Sequence, residues 1–286
     1  MNSVSILDEY LQYAEFAKGL AAGTLMQQRR ILAAFSKGRD VASATRADVV
    51  KYIMQLRTYG NCARTCNNVL STIRSFYTWA TIFADVKVNP AAGIQKMKTP
   101  VTMPQFIGKK TIEGVINKIT PDTFQHALKL AVISTLYMAG LRSGELSNLR
   151  DSDLHYQERY ISVHMGKGAK DRIVPMSARL GYALANWQAN RRATVDSCGL
   201  VFCNAEGKPL THYDVDFLVK CAFHSVVPIE LCHPHALRHS FATICLDAGV
   251  PIQKIALWMG HSSISTTMHY LAISPVYSRQ DFDNIF

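Results

Sequence analysis

The chain has 286 residues, of which 48% are hydrophobic, and it carries a formal net charge of +10. This length predicts about two domains of ordinary size, and the hydrophobic fraction is enough to fill their cores. No apolar run is long enough to span a membrane, and the acidic residues Asp8, Glu9 and Glu15 argue against an N-terminal signal peptide.

The positive charge is concentrated in the first third of the chain. Residues 1–100 contain 13 Lys and Arg against 6 Asp and Glu, whereas residues 101–286 contain 18 against 15. This excess is compatible with a polyanionic partner such as nucleic acid. It is equally compatible with charge that only keeps the protein soluble, so charge by itself leaves the partner open.

The cysteines give no sign of a disulfide framework. The seven residues are scattered, their number is odd, and no CxxC pair occurs. We therefore expect reduced, mostly buried thiols in a reducing compartment.

Residues 5–85 contain four helical patterns and no strand pattern. The third pattern begins with Thr45 and Asp48, whose spacing of three is typical of a capping box. The fourth has an apolar face made of Val69, Ile73, Phe76 and Ala80. Such faces predict a small helical bundle.

The stretch from Val88 to Pro104 interrupts the helical pattern. It contains Pro90, Pro100 and Pro104 together with lysines, and proline disfavours helix in the residue before it. We interpret it as a basic interdomain linker. A linker that lies on DNA and a plain spacer both remain open.

A second domain is predicted to begin near Gln105. Residues 124–139 are almost entirely apolar after their first turn, which predicts a helix buried on most sides. Ile161, Val163 and Met165 alternate with polar residues, which predicts a half-buried strand. Residues 166–175 then give a hairpin with a basic tip and a second strand. Leu200–Cys203 is a candidate for a third strand.

Six polar residues in unexpected places are candidates for catalysis. They are Arg142, Lys167, His235, Arg238, His261 and Tyr270. Taken singly, each has an ordinary explanation: an arginine after a buried helix is commonly a cap or an ion-pair partner, and a lysine in a turn is commonly solvated. A lone histidine or a tyrosine in an amphipathic helix is usually a packing residue. Their order along the chain carries more information than any one of them.

In that order, the six residues resemble the signature of the tyrosine recombinase family, also called the phage integrase family. The surrounding segments match as well, namely Ala139–Leu146, Gly166–Pro175, Pro234–Thr243 and Met259–Tyr270. The resemblance extends over nearly the whole chain, because the helical first domain and the linker are similar to the family's core-binding domain. Within the family, the chain is similar to the short Xer-type recombinases.

The resemblance implies a mainly α fold with a small β-hairpin or sheet. Residues 1–87 would form a helical, SAM-like core-binding domain that binds DNA, and residues 88–104 the interdomain linker. Residues 105–286 would form an α+β catalytic domain with a C-terminal tail. For the tail, residues 271–286, docking on a neighbouring protomer and folding on its own domain both remain open.

The chemistry of a phosphodiester explains why arginines and a tyrosine are needed. The transition state gains charge on the phosphoryl oxygens, and a planar guanidinium binds two such oxygens at once. The resemblance assigns this clamp to Arg142 and Arg238, and the nucleophile to Tyr270. Because a phenol has a pKa of about 10, a 3′-phosphotyrosine can be displaced again by a DNA hydroxyl. No metal, ATP or other cofactor is expected, and no Walker motif occurs.

The other site residues take their roles from the resemblance alone. Lys167 would be the general acid that protonates the leaving 5′ oxygen. His235 would accept the tyrosine proton or hydrogen-bond the phosphate, and His261 would hold another phosphoryl oxygen. Glu145 would be a supporting residue that orients the histidine and the arginine.

The implied function is site-specific DNA recombination, as integration, inversion or dimer resolution. A DNA-binding protein without catalysis and a type IB topoisomerase, which uses the same chemistry, are the alternatives. Tyr277 is a rival nucleophile, although its distance from His261 does not fit the family spacing. His235 and His239 could suggest a zinc site, but no HExxH motif accompanies them.

The implied partner is double-stranded DNA with inverted-repeat core sites, one protomer on each half-site. The resemblance implies a homotetramer on two such sites, which exchanges strands through a Holliday junction. A partner recombinase remains an open alternative. We expect a cytoplasmic protein that is associated with the nucleoid when bound to DNA, with no membrane contact.

Overall fold

The computed structural model of the chain describes residues 3–37, 40–99, 105–164, 171–261 and Thr267. The chain divides into two compact units, Met1–Val101 and Thr102–Phe286, and each has a hydrophobic core of its own. Across these described ranges, no helix combines the length and the apolar character needed to cross a bilayer.

The first unit is helical, as the sequence predicts. Its described residues form α1 (Ser3–Phe16), α2 (Ala22–Ser36), α3 (Arg46–Thr58) and α4 (Ala63–Phe83). The capping box that opens α3 is confirmed. The Asp48 backbone N–H donates to Thr45 Oγ1 at 3.3 Å, and the Thr45 backbone N–H donates to Asp48 Oδ2 at 2.9 Å. Two backbone donors that an isolated helix would leave unsatisfied are therefore paired.

Helix α4 lies at the centre of this unit. The four residues of its predicted apolar face, Val69, Ile73, Phe76 and Ala80, are all buried. Phe76 packs edge-on against Tyr10 of α1, with ring centroids 5.4 Å apart. The Tyr77 hydroxyl donates to the carbonyl of Val41 at 2.9 Å, so the one polar atom of this buried ring is satisfied.

The residues after α4 pack onto the same unit. Asn67 exchanges two hydrogen bonds of 2.8 Å with the backbone of Met97, and Arg74 Nε donates to the carbonyl of Ala91 at 3.1 Å. Residues 88–99 form no helix or strand. Side chains of α4 therefore provide the hydrogen bonds that regular structure would otherwise supply to this segment.

The second unit is helical with one small sheet. Its first helices are α5 (Lys109–Lys118), α6 (Phe124–Met138) and the short α7 (Ser143–Ser147). A 3-10 turn (Asp151–Asp153) leads into β1 (Leu154–His155), β2 (Tyr160–Val163) and β3 (Arg172–Pro175). The remaining elements in the described part of this unit are α8 (Ala178–Thr194), α9 (His212–Phe223), a 3-10 turn (Ile229–Leu231), α10 (Pro234–Asp247) and α11 (Ile252–Met259).

Helix α6 is buried on most sides, as predicted from its apolar sequence. It packs against α8, α9 and α10. A helix held on several sides has little freedom to shift. The segment that follows it, from Ala139 to Arg142, therefore starts from a fixed position.

The predicted pairing of β2 with β3 is confirmed, but the predicted third strand is wrong. The antiparallel sheet has the order β1-β2-β3, with Val163 opposite Arg172. Among the described residues, Leu200 and Cys203 make only isolated bridges. Trp187 Nε1 and Arg191 Nη1 donate to the carbonyl of Val201. In a β-strand this carbonyl would instead accept a hydrogen bond from the backbone of the neighbouring strand.

The expectation that most cysteines are buried is also wrong. Cys66, Cys203 and Cys232 are buried, Cys245 is intermediate, and Cys62, Cys198 and Cys221 are exposed. Two of the exposed residues stand at chain positions that face water: Cys62 is the N-cap residue of α4, and Cys198 lies in a turn with φ of 49°. None of the seven forms a disulfide.

Candidate active site

Arg142 lies at the junction between α6 and α7. It is the N-cap residue of α7, and its backbone N–H donates to Glu145 Oε2 at 2.8 Å. Its Nη1 donates to Oε1 of the same carboxylate at 2.7 Å. The side chain is still 34% exposed. The Glu145 carboxylate thus fixes both the backbone and the guanidinium of Arg142, and the guanidinium remains accessible to an anion at the surface.

The Glu145 carboxylate is the centre of a cluster of arginines, and its side chain is only 9% exposed. Arg172 binds it with both terminal nitrogens, at 2.9 Å and 2.7 Å. Arg238 Nη1 lies 3.8 Å from Oε2. Burial by itself raises the pKa of Glu145, but hydrogen bonds from Arg172 and Arg142 and the charge of Arg172 outweigh it and lower the pKa to about 2. Glu145 is therefore ionised at neutral pH.

Arg238 comes from the second turn of α10, and its side chain is 4% exposed. It donates hydrogen bonds to the carbonyls of Gly140 and Met259. The start of α10 is fixed locally, because Pro234 occupies its first turn and His233 Nδ1 accepts from the backbone of Ala236 at 3.1 Å. A neutral carbonyl accepts a hydrogen bond from the guanidinium without cancelling its charge.

The C-terminal end of α11 gathers all three arginines. Its last carbonyls have no partner within the helix and carry the negative end of the helix dipole. Three successive carbonyls each accept from a different arginine. Arg172 Nε donates to Trp258 at 2.7 Å, Arg238 Nη2 donates to Met259, and Arg142 Nη2 donates to Gly260 at 2.9 Å. Side chains from α7, β3 and α10 thereby meet at one helix end.

His261 follows this helix end directly. Its Nδ1 lies 2.7 Å from Thr267 Oγ1, and Thr267 is fully buried. Burial lowers the pKa of His261 to about 4, and the charges of Arg238 and Arg142 act in the same direction. The ring is therefore neutral at pH 7. When the Thr267 hydroxyl donates to Nδ1, Nε2 carries the hydrogen and can donate to a phosphoryl oxygen.

His235 lies one turn before Arg238 in α10, where part of its surface is exposed and part is buried. Desolvation, followed by the charge of Arg238, lowers its pKa, which leaves a neutral ring that can accept a proton. The ring of His239 lies 6.4 Å from it, and burial lowers the pKa of His239 to about 4. Within the described part of the chain, no three His, Cys, Asp or Glu side chains are grouped as metal ligands.

The structure brings four of the seven residues selected from the sequence into one cluster: Arg142, Glu145, Arg238 and His261. His235 lies beside them, one helical turn from Arg238. Lys167 and Tyr270 lie outside the described residues, as do the rival Tyr277 and the tail, residues 271–286.

The sequence analysis missed Arg172 as a member of this site. The available signal was the alternation of β3, in which Arg172 and Val174 are buried whereas Ile173 is exposed. An arginine in register with an inward-facing valine needs a buried partner. Which carboxylate it meets is not visible in the sequence.

Comparison with known proteins gives a consistent result for both units. Residues 105–275 match the model of the phage integrase family, and residues 7–82 match the model described as the phage integrase N-terminal SAM-like domain.

Two curated relatives are 30% identical to this chain. A tyrosine recombinase of Pseudothermotoga lettingae matches over 255 residues, which cover 86% of this chain and 82% of the relative. Tyrosine recombinase XerA of Pyrococcus horikoshii matches over 279 residues, which cover 96% of this chain and 91% of the relative.

Solved structures with the same fold are less similar in sequence. The Tn1549 transposon integrase in complex with a circular intermediate DNA has a TM-score of 0.75 at 20% identity, over 93% of this chain and 94% of that one. XerH bound to its palindromic difH substrate has a TM-score of 0.74 at 18% identity, over 98% and 84%. A lambda integrase dimer bound to a core site has a TM-score of 0.72 at 16% identity, over 94% and 95%. At these identities the likeness shows the fold.

Proposed function

The chain belongs to the phage integrase family of tyrosine recombinases, site-specific enzymes that cleave and rejoin DNA, and we propose that Tyr270 is its nucleophile and Arg142 and Arg238 its phosphate clamp. One observation carries the assignment of the clamp, whereas Tyr270 is assigned from its place in the family's motif. Arg142 and Arg238, which are 96 positions apart in the sequence, bind successive carbonyls at the end of α11, directly before His261. Such a grouping of two fixed cations and a neutral hydrogen-bond donor suits an anionic phosphoryl group.

The clamp acts on the charge that develops during cleavage. When a nucleophile attacks the phosphorus, negative charge builds up on the two non-bridging oxygens. Arg142, which is partly exposed, binds these oxygens, and the buried Arg238 contributes a second positive charge to the site. Because the backbone and Glu145 already hold both guanidinium groups, little reorganisation is needed at the moment of reaction.

The reaction exchanges one phosphoester bond for another. The phenol oxygen of Tyr270 bonds to the phosphorus, and the bond from phosphorus to the 5′ oxygen breaks. His235, neutral at pH 7, takes the phenol proton, and Lys167 gives a proton to the leaving 5′ oxygen. The product is a 3′-phosphotyrosine and a free 5′ hydroxyl. A 5′ hydroxyl from the partner strand reverses these steps and rejoins the DNA.

We assign a role to each domain from the family to which the chain belongs. Residues 1–87 form the core-binding domain, residues 88–104 the linker, and residues 105–286 the catalytic domain. The excess of positive charge in residues 1–100 supports a role of the first domain in holding DNA phosphates. Its affinity for DNA then falls as the salt concentration rises.

The partner is duplex DNA with inverted-repeat core sites, bound as a tetramer on two sites. The support is the family, whose solved members named above are bound to DNA. The protein acts in the cytoplasm, on the nucleoid. Assembly with a second, different recombinase is the alternative, and the purified chain alone would then be inactive on its site.

A nicked suicide substrate tests the function. DNA from beside the gene of this protein is nicked next to the cleavage position, so that the fragment with the 5′ hydroxyl is lost and the covalent complex is trapped. We expect a protein–DNA adduct that resists denaturant and forms in the presence of EDTA. Binding without an adduct would support a DNA-binding protein without catalysis. Relaxation of supercoiled plasmids of any sequence would support a topoisomerase.

A further inference from the structure

Arg172, the first residue of β3, is a buried cation at the edge of the site. Its side chain is 3% exposed, and the guanidinium makes three hydrogen bonds: two to Glu145, at 2.9 Å and 2.7 Å, and one to the carbonyl of Trp258, at 2.7 Å. Burying an arginine is costly unless it is paired and hydrogen-bonded. Each of these hydrogen bonds is with Glu145, which also binds Arg142, or with the helix end whose next two carbonyls bind Arg238 and Arg142.

The charge balance of the cluster shows what Arg172 contributes. Glu145 makes an ion pair with Arg142 at 2.7 Å, and this contact alone would cancel much of the positive charge that Arg142 offers to a phosphate. Arg172 makes the bidentate contact with the same carboxylate. Three guanidinium groups and one carboxylate leave two positive charges, whereas without Arg172 only one remains.

Arg172 also fixes the place where the clamp is built. It holds the carbonyl of Trp258, and Arg238 and Arg142 bind the next two carbonyls of the same helix end. A shift of Trp258 would move the acceptors of both clamp arginines and the backbone of His261. Displacements of about 1 Å at a reacting centre cost about 10²-fold in rate.

We propose that Arg172 is a positioning residue for DNA cleavage: it neutralises Glu145 and fixes the end of α11, so that Arg142 and Arg238 keep their charge and geometry for the scissile phosphate. This inference rests on the proposed function. It assigns Arg172 no contact with DNA and no proton transfer. Loss of Arg172 should therefore slow the chemical step and leave the affinity for DNA unchanged.

The chain offers a matched control for a buried arginine. The side chain of Arg191 is 2% exposed and binds Asp151 with two nitrogens, at 3.1 Å and 2.6 Å. It also donates to the carbonyls of Leu200 and Val201. Arg191 thus has the burial, the bidentate carboxylate and the backbone acceptors of Arg172, but none of its partners belongs to the clamp.

The test compares Arg172→Gln with Arg191→Gln on the nicked substrate, well below the melting temperature of both. We expect Arg172→Gln to lose about 10²-fold in the single-turnover rate of adduct formation, with DNA affinity unchanged. Arg191→Gln should lose thermal stability and keep the wild-type rate. Equal rates for the two variants would overturn the inference. A wild-type chain that forms no adduct would instead overturn the proposed function, and the inference with it.

A modified substrate distinguishes a loss of positive charge in the site from misfolding of the Arg172→Gln variant. A methylphosphonate at the scissile position replaces one charged oxygen with a methyl group, so that the reaction needs less positive charge. Arg172→Gln should recover most of its deficit relative to wild type on this substrate. The same deficit on both substrates would contradict a role in supplying charge.

A double variant keeps the inference testable if Arg172→Gln does not fold. Arg172→Gln combined with Glu145→Gln removes both buried charges, which a fold tolerates better than one unpaired charge. Because Arg172 also holds the carbonyl of Trp258 and adds positive charge, the double variant should cleave more slowly than Glu145→Gln alone. Equal rates for these two variants would overturn the inference.

Discussion

The guanidinium of Arg142 donates a hydrogen bond of 2.9 Å to the carbonyl of Gly260, 118 residues later in the chain and directly before His261. This contact joins the turn after α6 to the end of α11. Arg172 and Arg238 bind the two preceding carbonyls. The backbone around Gly260 is therefore part of the site.

Gly260→Ala is expected to slow cleavage by about 10²-fold and keep DNA binding. Gly260 has φ of +62°, which costs a residue with a Cβ about 1–2 kcal/mol, and its Cβ would lie 2.9 Å from Arg172 Nη1. The arginine or the helix end must move to make room. The measurements are the rate of adduct formation and the melting temperature.

Gly249→Ala is the control for backbone strain. Gly249 has φ of +77°, but nothing lies within 4 Å of the position of its Cβ. We expect a similar strain in the backbone and a wild-type rate of cleavage. If both glycine variants cleave equally well, the packing of Arg172 against Gly260 does not matter for catalysis.

Arg142→Ala and Arg238→Ala should both reduce cleavage by about 10²–10³-fold, but only one should strongly destabilise the fold. Arg238 is 4% exposed, and its loss leaves the buried carbonyls of Gly140 and Met259 without their donor, at about 1–3 kcal/mol each. Arg142 is 34% exposed, so water can replace it. Urea unfolding of the two variants measures this difference. A larger loss of stability for Arg142→Ala would contradict the assignment of Arg238 as the buried member of the pair.

Tyr270→Phe should bind the DNA site with wild-type affinity and form no covalent adduct. The ring is kept, and only the oxygen that bonds to phosphorus is removed. Tyr277→Phe is the matched control, because it removes the same atom from the rival tyrosine, and it should form the adduct at the wild-type rate. An adduct formed by Tyr270→Phe would move the nucleophile to another residue.

Protonation of two site residues should make the free energy of unfolding depend on pH, each over a different acidic range. The pKa of His261 is lowered from 6.5 to about 4, so the fold favours its neutral form, and this contribution is lost as the pH falls from 6.5 through 4. The pKa of Glu145 is lowered from 4.5 to about 2, so its contribution is complete above pH 4.5 and is lost as the pH falls towards 2.

The free energy of unfolding, measured against pH, checks this assignment. His261→Gln should reduce the slope between pH 6.5 and 4, to which His239 also contributes, and Glu145→Gln should reduce it below pH 4.5. Each variant serves as the control for the window of the other. A His261 variant with the wild-type slope over its own window would show that this ring is not desolvated in the fold.

Local patterns in the sequence were sufficient to predict most of the helices and the pairing of β2 with β3. The capping box of Thr45 and Asp48, the apolar face of α4 and the buried α6 depend on neighbours three or four residues apart. The failed third strand, in contrast, depends on distant partners. Trp187 and Arg191, for example, take the carbonyl of Val201 that a strand would need.

The sequence by itself determined the candidate residues of the site and their order, through the resemblance to the family, and phosphodiester chemistry explains why arginines suit the clamp. Only the tertiary structure decided that Glu145 pairs with Arg172 and that three arginines share the end of α11. The reason is physical. A buried charge is stable only beside the partner that the packing of remote segments brings to it, and no spacing along the chain encodes which segments meet.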